Sequence, residues 1–101
     1  MSEAPQGAPL QIRHNAESGR FEATVEGLLC RADYRMHGDT MMLVHTEVPP
    51  HLEGRGIAAA LVAAAFQHAK DKGFDVLPVC SYVRAWARRH PEVEPLLAGA
   101  R

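Results

Sequence analysis

Between Arg20 and Glu26 apolar and polar residues alternate strictly: Phe21, Ala23 and Val25 fall on one side, Glu22, Thr24 and Glu26 on the other. That period of two marks a strand with one buried face. Leu10, Ile12 and His14 alternate in the same way and predict a short strand before it, with Asn15 to Gly19 as the intervening turn. Gly27 marks a bend or bulge, Leu28 to Met36 reads as a third strand, and His37-Gly38-Asp39 as a further turn. Thr40 to Val48, rich in Met, Leu, Val and Thr, predicts a fourth strand that ends at Pro49-Pro50. From Gly56 onward the period changes. Ile57, Ala60, Leu61, Ala64, Ala65 and His68 recur at helical spacing, and Gly73 suits the residue that stops such a helix. Phe74 to Cys80 reads as a fifth strand in which Pro78 implies an edge or a broken ladder. Ser81 fits the N-cap of a second helix, Tyr82 to His90, which Pro91 ends, and Val93 to Leu97 suggests one more short turn.

The predicted order is four antiparallel strands, then helix, strand, helix. A right-handed crossover places strands four and five side by side and parallel. The expected class is therefore α+β, as one domain over residues 10–98 behind a disordered tail at residues 1–9.

Composition narrows the picture. The 101 residues carry 11 Lys+Arg against 12 Asp+Glu, and the one basic cluster, Arg84, Arg88 and Arg89, is too small for a general nucleic-acid face. No apolar run approaches the ~20 residues of a membrane-crossing helix. Cys30 and Cys80 stand apart, with no Cys-x-x-Cys and no secretory segment, and read as reduced thiols of a cytoplasmic protein. Cys30, His14, His37, His51 and His68 form no metal-ligand spacing. A chain this small buries a modest fraction of its surface, which fits a monomer or a weak homodimer.

The chemistry concentrates in Thr46 to Ala58, where a strand runs into a glycine-containing turn, Glu53-Gly54-Arg55-Gly56-Ile57-Ala58, that opens directly into a helix. Unpaired amides and the positive end of the helix dipole attract phosphate oxygens there, and Gly54 and Gly56 let a ligand approach the backbone. The P-loop pattern Gly-x-x-x-x-Gly-Lys-Ser/Thr is missing, as is a dinucleotide-binding Gly-x-Gly-x-x-Gly.

Val48-Pro49, a spacer, and Gly54-Arg55-Gly56-Ile57-Ala58 with Leu61 resemble motif A of the GNAT acetyltransferases, Gln/Arg-x-x-Gly-x-Gly/Ala. Leu77-Pro78-Val79-Cys80-Ser81-Tyr82-Val83 and Arg89-His90-Pro91-Glu92 resemble the very small single-domain branch of that family, over roughly Leu10 to Leu97. The resemblance implies an acetyl-CoA-dependent N-acetyltransferase acting on an amine, with strands four and five splayed apart. It implies that backbone amides from Gly54 to Ala58 hold the coenzyme A pyrophosphate. The pantetheine arm would then pair with strand four near Glu47 and Val48. Two positions depart from the pattern. Glu53 stands where Gln or Arg is usual, so its side chain is expected to face solvent while Arg55 supplies local positive charge. Trp86 stands nearest to where larger members carry a tyrosine acid.

Acetyl transfer needs a base for the ammonium and a donor for the leaving thiolate. His45 and Glu47 alternate onto one face of strand four, and the resemblance favours Glu47 as base. Cys80, where strand five meets a helix start, suits a nucleophile or an acid for the departing thiolate. Tyr82 is a further donor or cofactor contact, and Arg88 and Arg89 are candidates for the 3′-phosphate. The connection from Asn15 to Arg20 is too short to wall an acceptor site, which points to an open site for a small or protein amine. The same openness leaves a non-catalytic acetyl-CoA-binding or protein-interaction module as the alternative.

Overall fold

The computed structural model describes residues 10–99, so the tail expected at residues 1–9 lies outside the described residues. Five strands, β1 (Arg13–Asn15), β2 (Arg20–Val25), β3 (Leu28–His37), β4 (Thr40–Glu47) and β5 (Asp75–Pro78), form one sheet in chain order. The first four pair antiparallel; β4 and β5 pair parallel, as the crossover requires. The expected α+β class is the one observed. Helix α1 (Ile57–Lys72) makes the crossover, α2 (Ser81–Arg88) follows β5, and single 3₁₀ segments occupy Pro50–Leu52 and Pro91–Leu96.

Local chemistry explains the breaks. Val25 pairs with Leu28 across a two-residue turn in which Glu26 and Gly27 both take positive φ, 54° and 78°. Gly73, at φ 77°, closes α1 by donating its amide to the carbonyls of Ala69 and Lys70. The second helix starts earlier than expected. Cys80, in extended conformation, precedes the first helical residue, and Ser81 already lies inside the helix with no side-chain cap bond. The Cys80 amide is still tied to β4 through the Leu43 carbonyl while its own carbonyl accepts from Arg84, so the chain turns at Cys80.

Ile57, Leu61, Val62, Ala65, Phe66 and Ala69 form the buried stripe of α1. Ala60, Ala64 and His68, expected in that stripe, are half-buried at its margin. The stripe packs on Phe21, Ala23, Cys30, Ala32, Met41 and Leu43 in one core. Alanine in the stripe lets the helix lie close to the sheet. α2 lies beside α1, with Trp86 stacked on Phe66 at a ring separation of 5.2 Å. The opposite face of the sheet carries a polar patch: Arg31, Asp33, His45 and Glu47 on it are half-buried or exposed. Glu22, on the same face, is only 5 % exposed because Arg13, Arg20 and Asn15 close over its carboxylate.

The edge of β5 is protected. Leu97 forms a parallel bridge to Val76, Ala98 donates to the Val76 carbonyl at 2.8 Å, and Pro78 offers no amide. Among the described residues no helix is long and apolar enough to cross a membrane.

Two predictions follow from this packing. The hydrogen bonds from Arg13 and Arg20 hold the Glu22 carboxyl down to about 2, against burial that acts to raise it. A depressed folded-state value stabilises the fold above the ordinary carboxylate range and loses that contribution as pH falls toward 2. Glu22→Gln should cost about 1–2 kcal/mol at neutral pH, with the difference from the parent closing by pH 2–3 in urea titrations. The second concerns Val44, which has no partner in the β3–β4 register: Asp33 faces His45 and Tyr34 faces Leu43, so Val44 is the extra residue of a β-bulge. Deleting it should close the bulge into regular pairing, with Leu43 and His45 still opposite Tyr34 and Asp33 and Glu47 still on the outer face. A thermal melt should then show a folded domain that loses less than the ~3 kcal/mol expected of a buried unpaired carboxylate.

Candidate functional site

The bulge decides what faces what. Before it, Met41 and Leu43 point into the core; after it, Thr46 lies opposite Ala32 on the helix side while His45 and Glu47 lie opposite Asp33 and Arg31 on the polar face. Were Val44 paired as an ordinary strand residue, the alternation would carry His45 and Glu47 into the core. Beyond Leu43 the two parallel strands part. The amides of Val79 and Cys80 both donate to the Leu43 carbonyl, each at 3.0 Å, and β5 then gives way to α2 while β4 runs on to Glu47. The edge of β4 from Val44 onward has no β5 partner.

A cleft of about 410 Å³ opens on the helix side of this gap, lined by Thr46, Val48, Leu52, Glu53, Gly54, Gly56, Ile57, Ala58, Ala59 and Tyr82. Gly54 and Gly56 take positive φ, 84° and 81°, and a Cβ at either would project into open space. Their need is thus conformational, and the space beside them is free for a ligand. Gly56 is the N-cap of α1 and no side chain caps the helix. The first helical bond runs from Ala60 to Gly56, so the amides just before it face the cleft end without an intrahelical acceptor. Free amides, a dipole end and an absence of bulk fit a pyrophosphate.

Cys80 sits across the gap. Its Sγ lies 3.6 Å from Thr46 Oγ1, at the start of α2. Burial acts to raise its pKa, but hydrogen bonds from Thr46 and from the amides of Val83 and Tyr82 outweigh it, and the net displacement is downward. Cys30 is the contrast: fully buried, with its pKa raised by burial, it is a packing residue. Both thiols are free.

On the polar face, His45 Nε2 and Glu47 Oε1 are 3.2 Å apart, and Arg31 Nη2 reaches the same oxygen at 3.1 Å. The hydrogen bond from His45 and the charge of Arg31 hold the Glu47 carboxyl below its usual range. The expected sharing of one face by His45 and Glu47 is observed, on the side of β4 away from the cleft-lining Thr46 and Val48.

Other expected side chains lie elsewhere. Arg55 is outside the cleft lining and pairs with Glu26 at 2.9 Å, where His51 also approaches, so its charge is neutralised by the β2–β3 turn. Glu53, expected to turn away, is exposed yet lines the cleft. Arg88 lies at the far end of α2 against Pro78, Pro91 and Glu94, and neither it nor Arg89 lines the cleft. Trp86 is buried under Phe66, while Tyr82, one turn earlier, reaches the cleft. Thr46 and Leu52, also in the lining, carry no motif signal in the sequence. Counting two residues back from Val48 gives Thr46, a signal that needs the bulge to be located first. Among the described residues no group of three or more His, Cys, Asp or Glu could hold a metal ion.

Comparison with known proteins agrees with this geometry. The family model of the GCN5-related N-acetyl-transferases matches residues 20–96. The chain is 32 % identical over 89 residues to Protein NATD1 of Gallus gallus, covering 85 % of this chain and 81 % of that protein. It is 30 % identical over 89 residues to Protein NATD1 of Homo sapiens, covering 85 % and 79 %. A GCN5-like protein from Staphylococcus aureus, solved by NMR in solution, superposes with a TM-score of 0.72 at 20 % identity over 91 % of each chain, a likeness of fold. With its matched segment reaching from β2 to the last 3₁₀ turn, the chain belongs to the GCN5-related N-acetyltransferase family.

Proposed function

We propose that this domain is an acetyl-CoA-dependent N-acetyltransferase, acting in the cytoplasm on an amine that enters an open acceptor side. The observation that carries the reading is the gap between β4 and β5, with an uncapped helix start at one end and a thiol of lowered pKa across it. The amides from Gly54 to Ala58 would hold the pyrophosphate, and the unpaired edge of β4 offers its amides and carbonyls to the pantetheine arm. The coenzyme supplies an activated acetyl group as a thioester. The Cys80 thiolate is suited to attack the acetyl carbon: a new S–C bond forms, the coenzyme S–C bond breaks, and the departing thiolate takes a proton, for which the Tyr82 hydroxyl is a cleft-lining donor. An amine then displaces Cys80 and loses its proton on the polar face, where Glu47, fixed by Arg31, orients His45 as the base. The reading requires that the acetyl group held in the gap be reached from both faces.

The short turn between β1 and β2 supports an acceptor side that is open to protein or small amines. Calorimetry with coenzyme A tests the first step, and no binding at millimolar ligand would sink the proposal. Incubation with acetyl-CoA should add one acetyl group to Cys80 by mass spectrometry, and Cys80→Ala should remove the adduct and lower thiol release with amines by about 100-fold. Binding with neither adduct nor turnover would instead identify a coenzyme-binding module. Glu53 provides an independent check. Its carboxylate borders a site for phosphates, so Glu53→Gln should tighten coenzyme A binding by about 0.5–1 kcal/mol, an effect that fades with added salt.

A further inference from the structure

The contact between Thr46 and Cys80 joins residues 34 positions apart in sequence, at the place where the backbone ladder has ended. The last backbone bonds between β4 and the chain leaving β5 are those of Val79 and Cys80 to the Leu43 carbonyl. Past them, Thr46 Oγ1 and Cys80 Sγ, 3.6 Å apart, link the two sides of the gap through side chains. Thr46 reaches the cleft because the Val44 bulge turns it there, and its β-branched side chain has few rotamers. It is also half-buried, so its hydroxyl meets the sulfur in a partly desolvated setting where a hydrogen bond counts for more.

We propose that Thr46 is a positioning residue for Cys80, its hydroxyl aiming the sulfur into the gap and donating a hydrogen bond to the thiolate. The inference deepens the functional reading above and rests on it for the role of Cys80, but the contact itself is a property of the fold. The amides of Val83 and Tyr82 act on the same sulfur from the start of α2, so Thr46 shares the task from the opposite strand. A structural threonine would hold the strands together equally well as valine, which has the same shape. A positioning threonine needs its oxygen.

The test is the pH profile of Cys80 alkylation by iodoacetamide, read at the modified residue by mass spectrometry so that buried Cys30 does not interfere. Thr46→Val should move the midpoint upward by about one unit and slow alkylation at pH 7 by about tenfold, while Thr46→Ser retains the parent profile. Superposition of the Thr46→Val and parent profiles, with both proteins folded by circular dichroism, would overturn the inference. Repeating the parent experiment with coenzyme A separates the two claims. Protection of Cys80 supports the functional reading; a Thr46→Val shift without protection leaves the positioning role standing and the coenzyme reading refuted.

Discussion

One carbonyl oxygen governs the site. The oxygen of Leu43 accepts from both Val79 and Cys80, and with two lone pairs it has nothing further to offer. Pro78 brings no amide to the ladder, so the pairing of β4 with β5 closes on that acceptor. β4 inserts Val44 immediately afterward, turning its remaining residues by one face, and β5 immediately becomes a helix. The cleft, the placement of Cys80 and the separation of Thr46 from His45 and Glu47 are all consequences of a ladder that ends at residue 43.

The elements were readable because their signals are local. The alternation from Phe21 to Val25, the alanine-rich helical stripe and Gly73 as its stop each depend on neighbours within a few residues. The glycine turn was readable for the same reason, since a glycine can take the positive φ seen at Gly56 without strain wherever the rest of the chain lies. The bulge was not, because it is a mismatch of register between β3 and β4 and exists only when both strands are laid side by side. The Arg55 pairing failed likewise. Its partner, Glu26, is 29 positions away on a turn whose proximity only the folded sheet creates. Charge is the only signal that points Arg88 to a phosphate, and helix geometry carries it to the opposite end of α2 from Tyr82.

The two faces of β4 now have different electrostatic characters. The polar face carries two clusters of ion pairs: in one Arg31 reaches Glu47 and Asp33 and Glu47 meets His45, and in the other Glu22 is clasped by Arg13 and Arg20. The cleft side is mostly apolar or small, with Glu53 as the single ionised side chain in its lining. A thiolate is therefore favoured on that side by dipoles rather than by a counter-charge: the Thr46 hydroxyl, two helix-start amides and the Thr46 amide.

Helix α1 itself is divided in the same spirit. Its first half, from Ile57 to Ala65, carries six alanines, and its second half carries Phe66 and His68. Phe66 stacks with Trp86, which stacks in turn on His90 at 4.0 Å, while His68 packs edge-on against His14 and Phe21. Large rings bury the most apolar surface per residue, so packing strength gathers around the C-terminal half of the helix. The N-terminal half is held by small residues and by Leu61 and Ile57 in the core. A domain of this size cannot fill both ends with bulk and still leave a cleft. Its aromatic residues anchor one end of α1, and the alanines keep the other end low enough for a ligand to reach the backbone.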